Sequence, residues 1–109
     1  MYGNAFEHFI IAEIIRLARY RFPDWRFSYL KTGGGAEIDL IIDRPGMADA
    51  LIEIKSSNNI RERDIRVLDR FSEDFVHAEA FCISRDRVKK IISNVTCLFW
   101  EEAIKELGL

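Results

Sequence analysis

Ala36-Glu37-Ile38-Asp39-Leu40-Ile41-Ile42 and Leu51-Ile52-Glu53-Ile54-Lys55 are two strand-like strings, each apolar enough to be buried and each interrupted by charge. Residues two apart on a strand share a face. Glu37 and Asp39 are therefore expected to point one way, with Ile38, Leu40 and Ile42 opposite. Glu53 and Lys55 are likewise expected to share a face, with Ile52 and Ile54 on the other. If the two strands pair, two or three carboxylates and one ammonium converge on a single patch. Burying such charges is costly unless they pair or bind a cation. The set has the composition of a divalent-metal phosphodiesterase site.

The neighbouring residues give these strands a setting. Trp25 to Thr32 alternates aromatic and polar residues and reads as a strand, and Gly33-Gly34-Gly35 is a hairpin signal. Arg44-Pro45-Gly46 makes a second turn between strands over 36–43 and 50–55, which completes an antiparallel meander. Before it, Asn4 can cap a helix that runs to about Arg21 and closes at Pro23. Phe6, Phe9, Ile10, Ile14 and Leu17 give that helix a broad apolar stripe. After the meander, the polar break Ser56 to Asn59 can cap a helix over 60–75, with Ile65, Leu68, Phe71 and Phe75 on its inner face. A strand over 78–84, a short helix over 85–92, a strand over 95–99 and a helix over 101–107 follow. The order is α-βββ-α-β-α-β-α, an α/β fold with a mixed sheet flanked by helices.

The 109 residues suffice for one domain with one modest core. A formal charge of −2 supplies no global attraction to nucleic acid, so any such contact must come from local basic patches. Cys82 and Cys97 both lie in apolar strings and read as reduced core thiols rather than a disulfide framework. No apolar run approaches a membrane span, and Glu7, His8 and Glu13 break up the N-terminal apolar stretch where a signal peptide would need continuity. The expectation is a cytoplasmic protein with no membrane partner.

This order of elements, with Asp39 on the second strand and Glu53-x-Lys55 on the third, resembles the PD-(D/E)xK, or restriction-endonuclease-like, nuclease superfamily. Asp39 matches the family's aspartate, Glu53 its second acid and Lys55 its lysine. Glu7 matches a first-helix glutamate present in subgroups such as the archaeal Holliday-junction resolvases. Ile38 stands before Asp39 where the motif's name has proline. A closer resemblance is to the C-terminal module of many prokaryotic AAA-type ATPases of undefined function. It rests on Gly3-x-x-Phe6-Glu7, Glu37-Ile38-Asp39, Glu53-Ile54-Lys55 and Leu98-Phe99-Trp100-Glu101-Glu102-Ala103 in that order. The resemblance implies Mg²⁺ or Mn²⁺ held by Glu7, Asp39, Glu53 and the backbone carbonyl of Ile54. Lys55 would position or deprotonate water, and DNA would be the substrate. It also implies an ATPase domain in cis or in trans, with a catalytically idle docking domain as the alternative. A homodimer is compatible with everything in the sequence.

Each residue also has a plainer reading. Glu37 is either a support for the metal ligands or a solvated residue at the strand entrance, and Glu7 is either a ligand or a first-turn acid beside the helix dipole. Tyr29, Lys31, Arg61 and Arg63 are candidate nucleic-acid contacts. The basic stretches Arg61 to Arg70 and Arg85 to Lys90 read first as solvated helix faces, diluted by Glu62, Asp64, Asp69 and Asp86, and as phosphate contacts only second. His8 and His77 read as surface residues, and Trp25 and Trp100 as packing groups.

Overall fold

The computed structural model describes residues 2–109, with side chains from residue 5 onward. Its elements are α1 (Tyr2–Arg21), β1 (Arg26–Lys31), β2 (Glu37–Asp43), β3 (Asp49–Ile54), α2 (Glu62–Ser72), β4 (Ala78–Ser84), β5 (Lys90–Ile92), β6 (Val95–Phe99) and α3 (Trp100–Glu106). The six strands form one sheet in the order β1-β2-β3-β4-β6-β5. The antiparallel meander β1-β2-β3 is as the turn signals predict. Helix α2 then carries the chain across to β4, which runs parallel to β3, and β6 runs parallel to β4. The result is a mixed sheet flanked by three helices.

Two apolar cores lie on either side of this sheet. Ile10, Ile14 and Ala18 of α1 and Ala103 of α3 pack with Leu40, Ile42, Ile52, Ile54 and Ile83 on one face. Ile65 and Leu68 of α2 pack with Ile38, Leu51, Cys82, Val95 and Cys97 on the other. The central strands β3 and β4 are therefore covered on both faces. That is why their sequences run nearly continuously apolar instead of alternating. Cys82 and Cys97 are free, buried and paired in register across β4 and β6.

Both meander turns form where expected. At Arg44-Pro45-Gly46 the Met47 N–H donates to the Arg44 carbonyl at 2.9 Å, and Gly46 adopts φ 83°, which a turn of this kind reserves for glycine. The Arg44 side chain folds beneath the turn and donates to the Ala48 carbonyl at 2.8 Å. Of the three consecutive glycines only Gly35 needs a positive φ, at 87°.

Four expectations are corrected. Helix α1 begins at Tyr2, so Asn4 lies within it and cannot be its cap; the Asn4 side chain is outside the described residues. Helix α2 begins at Glu62 and is capped by Asp64, whose carboxylate accepts from the Arg61 N–H at 2.8 Å, so Ser56 to Asn59 serve as a linker. Ile38 and Leu40 face opposite cores, because the β1–β2 register shifts between Ser28 and Leu30. An extra residue of β2 is accommodated opposite Tyr29, and this bulge reverses the alternation at Asp39.

The fourth correction concerns 85–92, which form a loop and the short strand β5, not a helix. Asp86 is the cause. Its buried carboxylate accepts from the Ile60 N–H at 2.9 Å, from the Val88 N–H at 2.9 Å and from the Lys90 ammonium at 2.7 Å. An aspartate bonded to the N–H two residues on makes a turn and competes with helix. Lys90 also donates to the Ile60 carbonyl at 2.9 Å, so one ion pair fastens this loop to the β3–α2 connection. The turn into β6 has Ser93 at φ 55°.

Asp86 carries a testable energetic role. The Lys90 bond first, and then the two backbone N–H bonds, hold its carboxyl down at about 2. A lowered folded-state value means stability that is present above the ordinary carboxylate range and is lost as pH falls through about 2. Asp86→Ala strips partners from a half-buried ammonium and two backbone N–H groups and should cost about 3 kcal/mol at neutral pH. Urea denaturation of the two proteins at pH 7 and at pH 3 measures this, with the gap narrowing at the lower pH.

Candidate active site at the fork between β2 and β3

Regular pairing of β2 with β3 runs from Ile42↔Ala50 to Leu40↔Ile52. Beyond it the two strands part, and the Asp39 carboxylate takes over. Asp39 Oδ2 accepts from the Ile54 N–H at 2.7 Å, which satisfies a backbone donor that the ladder no longer reaches. The bulge is what turns Asp39 into this gap. Because β2 enters the sheet where β3 ends, the first residues of β2 meet the last residues of β3, and Asp39 comes beside Glu53.

Glu53 is buried, at 9 % exposure, on the α2 side of the sheet. Lys55 lies on the same face, with its ammonium 3.4 Å from Glu53 Oε1, while Ile52 and Ile54 enter the opposite core. Burial, followed by the negative charge of Asp39, pushes the Glu53 carboxyl up to about 8; the charge and hydrogen bond of Lys55 oppose this without cancelling it. For Lys55, burial works against the ammonium, but Glu53, Asp39 and Asp64 outweigh it and its pKa rises. Glu7 reaches Asp39 from the opposite side, from the second turn of α1. Its carboxyl is raised by burial, then by the charge and hydrogen bonding of Asp39, then by the charge of Glu37. Asp39 therefore stands between two acids, one supplied by α1 and one by β3.

The remaining sequence-selected residues divide. Glu37, Glu53, Lys55 and Arg63 line one depression together with Asp64. Glu37 is exposed there, at the mouth. Lys31 pairs with Glu37 across the β1–β2 ladder and is exposed. Tyr29, 74 % exposed, shares with Asp39, Ile11 and Ile15 a second, apolar depression on the α1 side. Arg61 is exposed at the start of α2 and lines neither depression. His8 and His77 are exposed. Asp64 is the participant that the sequence reading passed over. As the acid in the first turn of the helix following Glu53-x-Lys55, it was within reach of inspection.

The arrangement gathers hard oxygen donors around one ammonium. Among the described residues, no three His, Cys, Asp or Glu side chains stand as a ready-made ligand set. Asp39 commits one oxygen to Ile54, and Glu53 is engaged with Lys55.

Fold and site together define an α/β domain whose mixed sheet forks at a partly buried cluster of acids and one lysine. Residues 2–100 match the family described as Domain of unknown function (DUF4143), and the chain belongs to that family. Comparison with curated proteins and with solved structures returned no match. Among the described residues, no helix is long and apolar enough to cross a membrane.

The acid cluster should leave a mark on stability. Glu53 has its pKa raised on folding, so its contribution is fully present below the unfolded carboxylate value of 4.5 and is lost as pH rises through about 8. The protein alone should therefore lose on the order of a few kcal/mol between about pH 5 and pH 8.5. Glu53→Gln should flatten that slope and match or exceed the wild type at the alkaline end. Urea unfolding across the pH range in metal-free buffer is the measurement.

Proposed function

We propose that this domain is a divalent-metal-dependent phosphodiesterase of the restriction-endonuclease-like kind, acting on DNA as a module of an AAA-type ATPase in cis or in trans. The observation that supports it best is Glu53, a buried carboxyl raised to about 8 beside Asp39 and held by Lys55. Folding alone gains nothing from such a group, because an apolar residue of similar size would pack there without the repulsion. Strongly perturbed carboxyls with a specific charged neighbour are instead what chemistry requires.

The donor set fits Mg²⁺ or Mn²⁺. Asp39, Glu53 and the Ile54 carbonyl are hard oxygen ligands of the type these ions prefer, and Glu7 approaches the same acid from α1. When bound, the ion would supply a Lewis acid and a clamp for a phosphate. Lys55 shares the face of Glu53 and would hold the attacking water or offset charge developing on phosphorus. Arg63, on the same depression, would meet a phosphate oxygen. Tyr29 and Lys31, both exposed on β1, would meet the strand further out.

One observation favours a second reading, that of an idle docking domain. Asp39 already has a structural task in bonding the Ile54 N–H, and no described triad is preset for metal. Metal response separates the two. If the domain is an enzyme, Mg²⁺ or Mn²⁺ at millimolar concentration raises its melting temperature, since an ion that binds only the folded state stabilises it. The shift should be greater at pH 8 than at pH 6, because metal and proton compete for Glu53. Asp39→Asn should abolish the shift while keeping an oxygen for Ile54. Cleavage of a panel of DNA forms should require the metal and fall at least about a hundredfold in Lys55→Ala. A melt indifferent to metal, with no cleavage, would overturn the enzyme reading and leave the docking one.

A further inference from the structure

The carboxyl ends of β3, β4 and β6 open together into a groove of about 710 Å³. Carboxyl ends of neighbouring parallel strands are where open α/β sheets bind ligands. One wall is Ser56, Ser57 and Asn58, which directly follow Lys55; the other is Arg85 and Arg87, at the end of β4. The walls are tied together by the Arg85 N–H donating to the Ser57 carbonyl at 3.2 Å and by the Asp86–Lys90 lock beneath. Trp100 closes the far side, supported edge-on by Phe9 at 5.5 Å.

The charge of this groove is unbalanced. Asp86 borders it, but its oxygens are occupied by Lys90, Ile60 and Val88. Among the described residues, neither Arg85 nor Arg87 is in an ion pair. Arg87 lies over the Phe99 ring at 4.5 Å, a stacked pose that leaves the edge of the guanidinium free to bond outward. Two free guanidiniums, short hydroxyl and amide side chains, and a half-buried indole make the combination that grips a sugar-phosphate strand and stacks its bases.

We propose that this groove binds single-stranded nucleic acid, with Arg85 and Arg87 on successive phosphates and a base against Trp100. The strand then runs off the end of β3 toward Lys55, and only this direction rests on the phosphodiesterase reading. The test is fluorescence anisotropy of labelled oligo-dT, oligo-U and a blunt DNA duplex, in chelator so that cleavage cannot intervene. The single strands should bind more tightly than the duplex, and emission from Trp100 in a Trp25→Phe background should be quenched on binding. Arg85→Ala/Arg87→Ala, with a cooperative melt lowered no further than loss of the Arg87–Phe99 stack allows, should bind about tenfold or more weakly and lower the salt slope by about 1.4. Equal affinity of this variant and wild type, preference for the duplex, or equal competition by polyglutamate would each overturn the groove. Metal-dependent cleavage is scored separately. Cleavage that persists with unaltered affinity in the arginine variant leaves the enzyme and removes the groove. Arginine-dependent binding without cleavage in any metal leaves the groove and removes the enzyme.

Discussion

The hydrogen bond from the Ile54 N–H to Asp39 is the contact on which the centre of the molecule depends. A sheet normally closes its ladder with backbone carbonyls, and here a side chain substitutes for one at the point where β2 and β3 separate. The substitution keeps β3 continuous to its last residue, so Glu53 remains buried and Lys55 emerges at a defined place. It also fixes one oxygen of Asp39 and leaves the other to the cluster. Without the bulge opposite Tyr29, Asp39 would lie one step out of phase and the fork would have no carboxylate to fill it.

The domain handles its buried acids in two contrasting ways. Asp86 is saturated by an ammonium and two backbone donors and is held low, as a carboxylate in a structural role should be. Glu53 is held high first by burial and then by the like charge of Asp39, with Lys55 opposing both. At Glu53 burial weighs most and the charge of Asp39 adds to it, whereas at Asp86 three donors outweigh burial. Asp86 makes the scaffold rigid, and Glu53 keeps capacity for something outside the chain.

Much of this was legible in the residues. Glycine and proline punctuated the meander correctly because Gly35 and Gly46 need the backbone angles that only glycine adopts easily. The strands over 78–84 and 95–99 announced themselves by largely apolar runs, broken at Glu79 and Thr96, and the inner face of α2 by its spacing. Where the reading failed, a contact between segments distant in the chain had overruled local pattern. The run from Arg85 to Lys90 looks helical until Asp86 is known to be buried, and nothing local reveals that its partner is Ile60. Alternation misplaced Ile38 because a bulge is a property of two strands at once, invisible in either alone. The same limit hid the groove. Ser56 to Asn58 and Arg85 to Arg87 are far apart along the chain and meet only because β3 and β4 lie side by side.

The bulge has a further effect, on how copies of this chain meet each other. Strand β1 lies at one margin of the sheet and the three-residue β5 at the other. A long, flat margin invites the same margin of a second molecule to continue the sheet, the usual route to uncontrolled self-association. β5 is too short to template such an extension. β1 sits against a partner that is out of step with it, which increases its twist and spoils its flatness, and it bears Arg26 and Lys31 at its two ends. The irregularity that aims Asp39 inward thus also makes the outer margin a poor surface for continued strand addition.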